Sequence, residues 1–250
     1  MADEFRIEKH GEVAVLCIDR PARRNALGDA LIAHMRGVFA QLDADPSIGA
    51  IVLTGSAPGF CAGSDLKELG AMSLDEMCAH EARTATFCRE IALMQTPVVA
   101  AVEGFALGGG FVLAASCDVV VTARGARWHL PEVQIGWIPP WGIESLVNRV
   151  GTTRARQLVW AHTPLQDEEA LRLGLADHMA DDGAALQRAV EVAHGYAKLP
   201  REAVASTKLY FATHGARNGE GGNLLASQLF KDNCRHATSQ ATLRKFGVKV

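Results

Sequence analysis

The chain has 250 residues, 48% of them hydrophobic and 21% charged, a balance that suits one large soluble domain or a core with a smaller appendage. A formal net charge of −3 leaves no excess of cations for a phosphate backbone and argues against a general nucleic-acid binder, while a local basic site for a phosphorylated small molecule stays compatible. The most apolar stretch, Phe111 to Val121, is broken by Ser116, Cys117 and Asp118 and is too short to span a bilayer. Phe5 to Lys9 and Val13 to Asp19 read as two strands joined by a turn at His10-Gly11. Asp29 to Leu42 places Leu31, Met35, Val38 and Leu42 on one helical face, with Asp29 as the expected N-cap. Ala50 to Leu53 reads as a buried strand, followed by a loop over Thr54 to Gly59 and a long helical stretch over Leu74 to Met94. Pro97 to Val102 and Val119 to Thr122 read as strands on either side of a short helix, Gly109 to Ala115. From Ile143 onward the pattern is almost entirely helical, with breaks at Thr163-Pro164, Asp181 to Gly183, Leu199-Pro200 and His214-Gly215.

Repeated alternation of strand and helix implies covered, mostly parallel sheets, hence an α/β fold followed by helices. The run from Asn218 to Phe246 reads as a separate helical element punctuated by Glu220-Gly221-Gly222. Its Leu224, Leu225, Leu229 and Phe230 suit packing on a neighbouring subunit or, equally, on their own domain. The six cysteines, Cys17, Cys61, Cys78, Cys88, Cys117 and Cys234, form no C-x-x-C pair, and idle thiols in a reducing compartment are expected. Met1 to Glu4 is acidic and carries no hydrophobic signal region, so a cytoplasmic location is expected. The histidines are scattered, with no H-E-x-x-H motif or carboxylate cage, so no metal site and no separate cofactor are expected.

Two glycine-marked segments carry the chemistry: Phe60-Cys61-Ala62-Gly63-Ser64-Asp65-Leu66 and Gly104-Phe105-Ala106-Leu107-Gly108-Gly109-Gly110. Each puts small residues where the chain leaves a strand and enters a helix. Backbone N–H groups at such a corner have no partner inside the helix, and glycine allows another molecule to come close. Two corners facing one point make an oxyanion hole, which serves an enolate or a tetrahedral adduct. Asp65 reads as the N-cap of the short helix that begins at Leu66; Asp118 reads as structural.

These segments, together with Arg20-Pro21, Asn25-Ala26-Leu27, Ala101-Val102-Glu103, Cys117-Asp118, Pro131-Glu132, Gly136 and Pro139, resemble the crotonase (enoyl-CoA hydratase/isomerase) superfamily over nearly the whole chain. The resemblance implies a crotonase-like spiral of ββα units, with residues 1–199 as an acyl-CoA-binding core and 200–250 as a helical C-terminal region that builds a homotrimer or, from two trimers, a homohexamer. It also implies an acyl-CoA thioester as partner, coenzyme A being part of the substrate. The oxyanion donors would be the backbone N–H groups of Ser64 and Gly109, the latter aided by the dipole of its helix.

Hydratases of this family use two glutamates. The second is matched by Glu132; the first, two positions after the glycine run, is Val112 here. Eight residues beyond Glu132, where hydratases place a glycine whose N–H helps hold the attacking water, stands Pro140, which has no N–H to give. Family dienoyl isomerases carry an aspartate there, also absent. Trp137 and Trp141 flank the gap and imply a dry, aromatic-lined acyl pocket. One base without a held water favours the Δ3 to Δ2 enoyl-CoA isomerase pattern over hydration, with decarboxylation and thioester hydrolysis as minor versions and a silent acyl-CoA-binding scaffold as the reading from another class. Burial should raise the pKa of Glu132. His129 and Glu144 are weaker candidates for an acid. Arg23, Arg24 and Lys67 are the candidate cations for the coenzyme A phosphates, and Ala26 and Ala62 lie where the family contacts adenine and pantetheine through its backbone.

Overall fold

The computed structural model describes residues 4–215 and 219–248, the side chains of 213–215 excepted. Strands β1 (Phe5–His10) and β2 (Val13–Ile18) form an antiparallel hairpin. To β2 are added, all parallel, β3 (Ala50–Gly55), β4 (Val98–Val102), β6 (Val119–Ala123) and β9 (His178–Ala180). A second, three-stranded sheet has the order β5 (Phe105–Leu107), β7 (Arg127–His129), β8 (Leu165–Gln166). The short strands β5, β7, β8 and β9 are absent from the sequence reading. With two or three residues each, they are too brief to show a period of two.

Both faces of the large sheet are buried, and the period of two sorts its side chains. Val13, Val15, Ala50, Val52, Val99, Ala101, Val121 and Ala123 share one apolar cluster with Ala185, Ala189 and Ala193 of α8 (Ala185–Ala197). Alanine at every fourth position gives that helix a flat stripe, which lets it lie close on the strands. Leu16, Ile18, Ile51, Leu53, Val98, Ala100 and Val120 enter the main core on the opposite face. There they meet α1 (Asp29–Ala44), α3 (Leu74–Leu93) and α4 (Gly109–Ala115). Helix α3 opens on a reciprocal capping box between Ser73 and Glu76.

Two local expectations need correction. The N-cap of α1 is Gly28, not Asp29; the Asp29 carboxylate instead faces His80 Nδ1 at 2.9 Å and Arg83 at 2.7 Å on α3. Glu220-Gly221-Gly222 does not punctuate the tail but lies inside α10 (Gly219–Asn233); Asn218 is outside the described residues. The apolar residues of that tail, for which both kinds of packing were open, divide between the two. Phe230 turns into its own chain, with Leu69, Met77, Trp137, Cys234, Leu243 and Val248, while Leu224, Leu225 and Leu229 are exposed. By contrast, Asp65 caps α2 (Leu66–Leu69) as expected, accepting from the N–H groups of Lys67 and Glu68. Asp118 is structural, holding Val98 N at 2.7 Å and Lys208 Nζ at 2.6 Å.

The remaining helices are α5 (Ile143–Val150), α6 (Thr152–Val159), α7 (Asp167–Leu173), α9 (Arg201–Gly215) and α11 (Ala237–Lys245). Helices α10 and α11 hold the irregular segment 131–142. Asn233 Oδ1 accepts from Ile138 N and Asn223 Oδ1 from Gly142 N, each at 3.1 Å, and Ser239 Oγ donates to Gly136 O at 2.8 Å. Because the buried stripe of α8 that faces the sheet is alanine at 185, 189 and 193, Ala189→Leu should overpack that contact. A loss of about 1–3 kcal/mol in urea unfolding is expected, against little change for Leu at the exposed Gln187.

Candidate active site

The first glycine corner is pinned on both sides. Leu27 N donates to Gly63 O and Asp65 N donates to Leu27 O, both at 2.8 Å. Asp65 is tied further to Arg20 and Arg23, each at 3.2 Å. Between these anchors the N–H of Ser64 finds no acceptor among the described residues.

The second corner begins α4. Gly108 N donates to His129 O at 2.9 Å, while the next amide, Gly109 N, also lacks an acceptor among the described residues, as expected for the first turn of a helix. The corners touch. A Cβ built on Gly63, whose φ is +89°, would lie 2.9 Å from Gly109 N and 3.0 Å from Leu107 O. Only glycine permits both that backbone conformation and that approach.

Ser64 and Gly109 line a cavity of about 290 Å³, together with Ala62, Glu132, Trp137, Pro140 and Trp141. Glu132 is buried, and its Oε2 makes no hydrogen bond. Its Oε1 would lie 3.1 Å from a Cβ on Gly108, so the carboxyl group stands against the glycine run. Burial pushes the Glu132 pKa up to about 8; its own backbone N–H opposes the rise and the nearby Glu81 carboxylate adds to it. Val112 lines the same cavity and is buried. Apolar walls come from Trp137, Phe230, Leu243, Phe246 and Val248. The Trp137 ring meets Phe230 edge-on at 5.8 Å.

Glu81 is the residue that sequence reasoning missed. It lines the cavity and is 5% exposed. Its Oε1 accepts from Ser64 Oγ at 2.8 Å and its Oε2 from Trp141 Nε1 at 2.7 Å. The available signal was its spacing from Met77, Ala85 and Cys88, all on the buried face of α3: a carboxylate on an apolar stripe.

Other candidates stand elsewhere. Arg23, Arg24, Ala26 and Lys67 are not in the cavity wall. Arg23 pairs with Asp65, and the Arg24 guanidinium lies over the Phe105 ring at 4.6 Å. The carbonyl of Ala26 accepts from Arg20 Nη1 at 2.5 Å, and Lys67 is exposed. The His129 ring stands 3.3 Å from Gln134 Nε2, and burial lowers its pKa. Glu144 lines a different cavity of about 920 Å³ between α3, α5, α9 and α10. All six cysteines are free thiols. Among the described residues no three His, Cys, Asp or Glu side chains gather into a metal-binding group, and no helix is long and apolar enough to cross a membrane.

An α/β core with two facing amide corners beside a buried carboxylate defines the crotonase class, and comparison with known proteins agrees. The chain matches the enoyl-CoA hydratase/isomerase family model over residues 8–249 and belongs to that family. It is 35% identical over 190 residues to the short-chain-enoyl-CoA hydratase of Clostridium acetobutylicum, covering 75% of this chain and 73% of that one. It is 34% identical over 209 residues to a probable enoyl-CoA hydratase of Mycobacterium tuberculosis, covering 79% of each. The crystal structure of an enoyl-CoA hydratase/isomerase from Mycobacterium paratuberculosis superposes with a TM-score of 0.88 at 27% identity, covering 98% of this chain and 99% of that chain.

Ionising Glu132 inside the fold is unfavourable. An acid whose folded pKa is raised from 4.5 to about 8 costs nothing below the lower value. The cost accrues as pH rises through this window and is complete above it, at about 5 kcal/mol. The melting temperature of Glu132→Gln relative to the unchanged chain should therefore climb between pH 5 and about pH 8 and level off above. A difference that stays flat across this range in calorimetry would show that Glu132 does not titrate there.

Proposed function

We propose that this chain is an acyl-CoA enzyme that enolises a thioester, and that its reaction is enoyl-CoA isomerisation. The thioester oxygen sits between the N–H groups of Ser64 and Gly109. Negative charge that develops there is met by two fixed dipoles in a water-poor site, and one such donor is worth about 3 kcal/mol. Glu132, as the carboxylate, takes a proton from C2 of a 3-enoyl thioester. The electron pair moves into a dienolate, and the same carboxyl group returns the proton at C4 to leave the 2-enoyl product. The observation that carries this reading is the unpartnered Glu132 Oε2, buried in the same cavity as the two free amides. Val112 and Pro140, standing where family hydratases have a glutamate and a water-holding glycine, favour proton transfer over water addition.

Hydration is the second reading. It is favoured by the curated relatives, which are themselves called enoyl-CoA hydratases, and by the presence of a second carboxylate, Glu81, in the cavity wall. We further assign the coenzyme A phosphates to the side of the Arg23, Arg24 and Lys67 cations. A homotrimer or homohexamer is our reading of the assembly, supported by exposed Phe211, Leu224 and Leu225 on α9 and α10.

A saturated acyl-CoA incubated in D2O should exchange its α-proton, and Glu132→Gln should abolish that exchange. Offered separately, a 3-enoyl-CoA should isomerise faster than a 2-enoyl-CoA takes up water; rapid water addition would transfer the assignment to hydratase. No exchange in the unchanged protein would leave a silent binder. Because the base must be ionised, kcat/KM for exchange should rise with pH to half its plateau near the Glu132 value of about 8.

A further inference from the structure

Glu81 sits in the middle of α3 with almost no contact with solvent. A carboxylate in that position is costly unless its oxygens are satisfied. Among the described residues no cation pairs with it; its donors are the Ser64 hydroxyl and the Trp141 indole N–H. These two donors come from separate segments, Ser64 from the corner before α2 and Trp141 from the loop between Glu132 and α5. Each belongs to or packs beside a residue that carries one of the two free amides. Ser64 carries one of them. The Trp141 ring packs beside Gly109, which carries the other, since a Cβ on Gly109 would come 3.0 Å from Trp141 Cζ2.

We propose that Glu81 is a positioning residue, a carboxylate clamp that joins α3 to the Ser64 corner and the Trp141 ring and so sets the distance between the two oxyanion amides. The proposal deepens the reading given above and rests on it. The clamp is charge-assisted on both arms, which makes each bond stronger than a neutral one. It also leaves Glu81 fully engaged, so that Glu132 keeps the one free carboxylate oxygen facing the substrate.

The geometry has an electrostatic corollary. Among the described residues that line the cavity, Glu81 and Glu132 alone are titratable. At the Ser64 corner, Arg20, Arg23 and Glu68 are engaged with Asp65 or with each other. The charge of Glu81 therefore acts on Glu132 without a compensating cation in the wall.

Glu81→Gln tests the clamp. The amide keeps the volume and its oxygen still accepts from Trp141 Nε1, but its NH2 group can only donate, so the bond from Ser64 Oγ is reversed and both arms lose their charge assistance. Expected are a fall in kcat for α-proton exchange of about tenfold, the scale of one hydrogen bond, with KM little changed. The acid limb of the pH profile should shift to lower pH, because Glu132 loses a negative neighbour, and the emission of Trp141 should change. An unchanged kcat together with an unchanged acid limb overturns the proposal. If Glu81→Gln does not fold, Trp141→Phe and Ser64→Ala take its place. Acting through one clamp, their losses combined in the double variant should fall short of the product of the single losses, and strictly multiplicative losses overturn the proposal. Exchange that survives in Glu132→Gln overturns the reading of the base, whatever Glu81 does. Exchange lost in Glu132→Gln but intact in Glu81→Gln overturns the clamp alone.

Discussion

Everything at this site depends on two strand-to-helix corners coming closer together than side chains would allow. Gly63 and Gly109 meet at a distance that a single methyl group on Gly63 would close. Small residues are therefore a steric requirement of the site as well as a matter of turn geometry. The approach is made rigid from outside. The bridge between Leu27 and Ser64 and the bridge between Cys61 and Ala106 fix the first corner to the chain before α1 and to β5. Asp65, buried beside Arg20, locks the start of α2. What survives this pinning is a pair of amides with no acceptor among the described residues. Ser64 and Gly109 are half-buried in the cavity wall, and two N–H groups presented together there suit a single ligand oxygen.

The second constraint is dryness. Glu132 has a raised pKa because it is buried and lacks donors for Oε2. That condition is maintained at a distance. The loop that carries Glu132 is tied to α10 and α11 through Asn233, Asn223 and Ser239, and Phe230, Leu243, Phe246 and Val248 of the same C-terminal region complete the apolar wall. The tail thus performs two tasks, fixing the loop and shielding Glu132 from water. A loosened tail would lower the pKa of Glu132 by hydration before it disturbed any catalytic contact directly.

The glycine corners and Glu132 were legible for a physical reason, glycine runs and a Pro-Glu pair being local signals, while the role proposed for Glu132 came from the family resemblance. The helix Gly109–Ala115 and the cap at Asp65 were legible on the same ground. Legibility failed where a long-range contact decides the outcome. Asp29 looks like a cap until His80 and Arg83 of α3 take its carboxylate. Glu220-Gly221-Gly222 looks like a break until α10 finds a surface to pack on. Strands of two or three residues exist only because a neighbour supplies their hydrogen bonds. Glu81 is the most instructive omission. Its partners lie 17 and 60 positions away, and no spacing rule connects them. The trace it leaves is a charge where the stripe of α3 asks for an apolar residue.

Val112 and the loop after Glu132 are fitted to each other. A Cβ on Gly142, whose φ is +74°, would stand 1.8 Å from Val112 Cγ1. The valine therefore presses against the loop backbone, next to Trp141. A carboxylate at that place would need room and donors that the loop does not provide. The second carboxylate of the cavity enters instead from α3, and both of its oxygens are occupied, by Ser64 Oγ and Trp141 Nε1. The two acids are thus unequal by construction. One is fully bonded and holds the walls; the other is bare on one oxygen and pushed towards its neutral form. An asymmetric pair of this kind favours chemistry in which a single proton leaves and returns through one group, and the absence of a backbone N–H at Pro140 removes one support for a water that would make it otherwise.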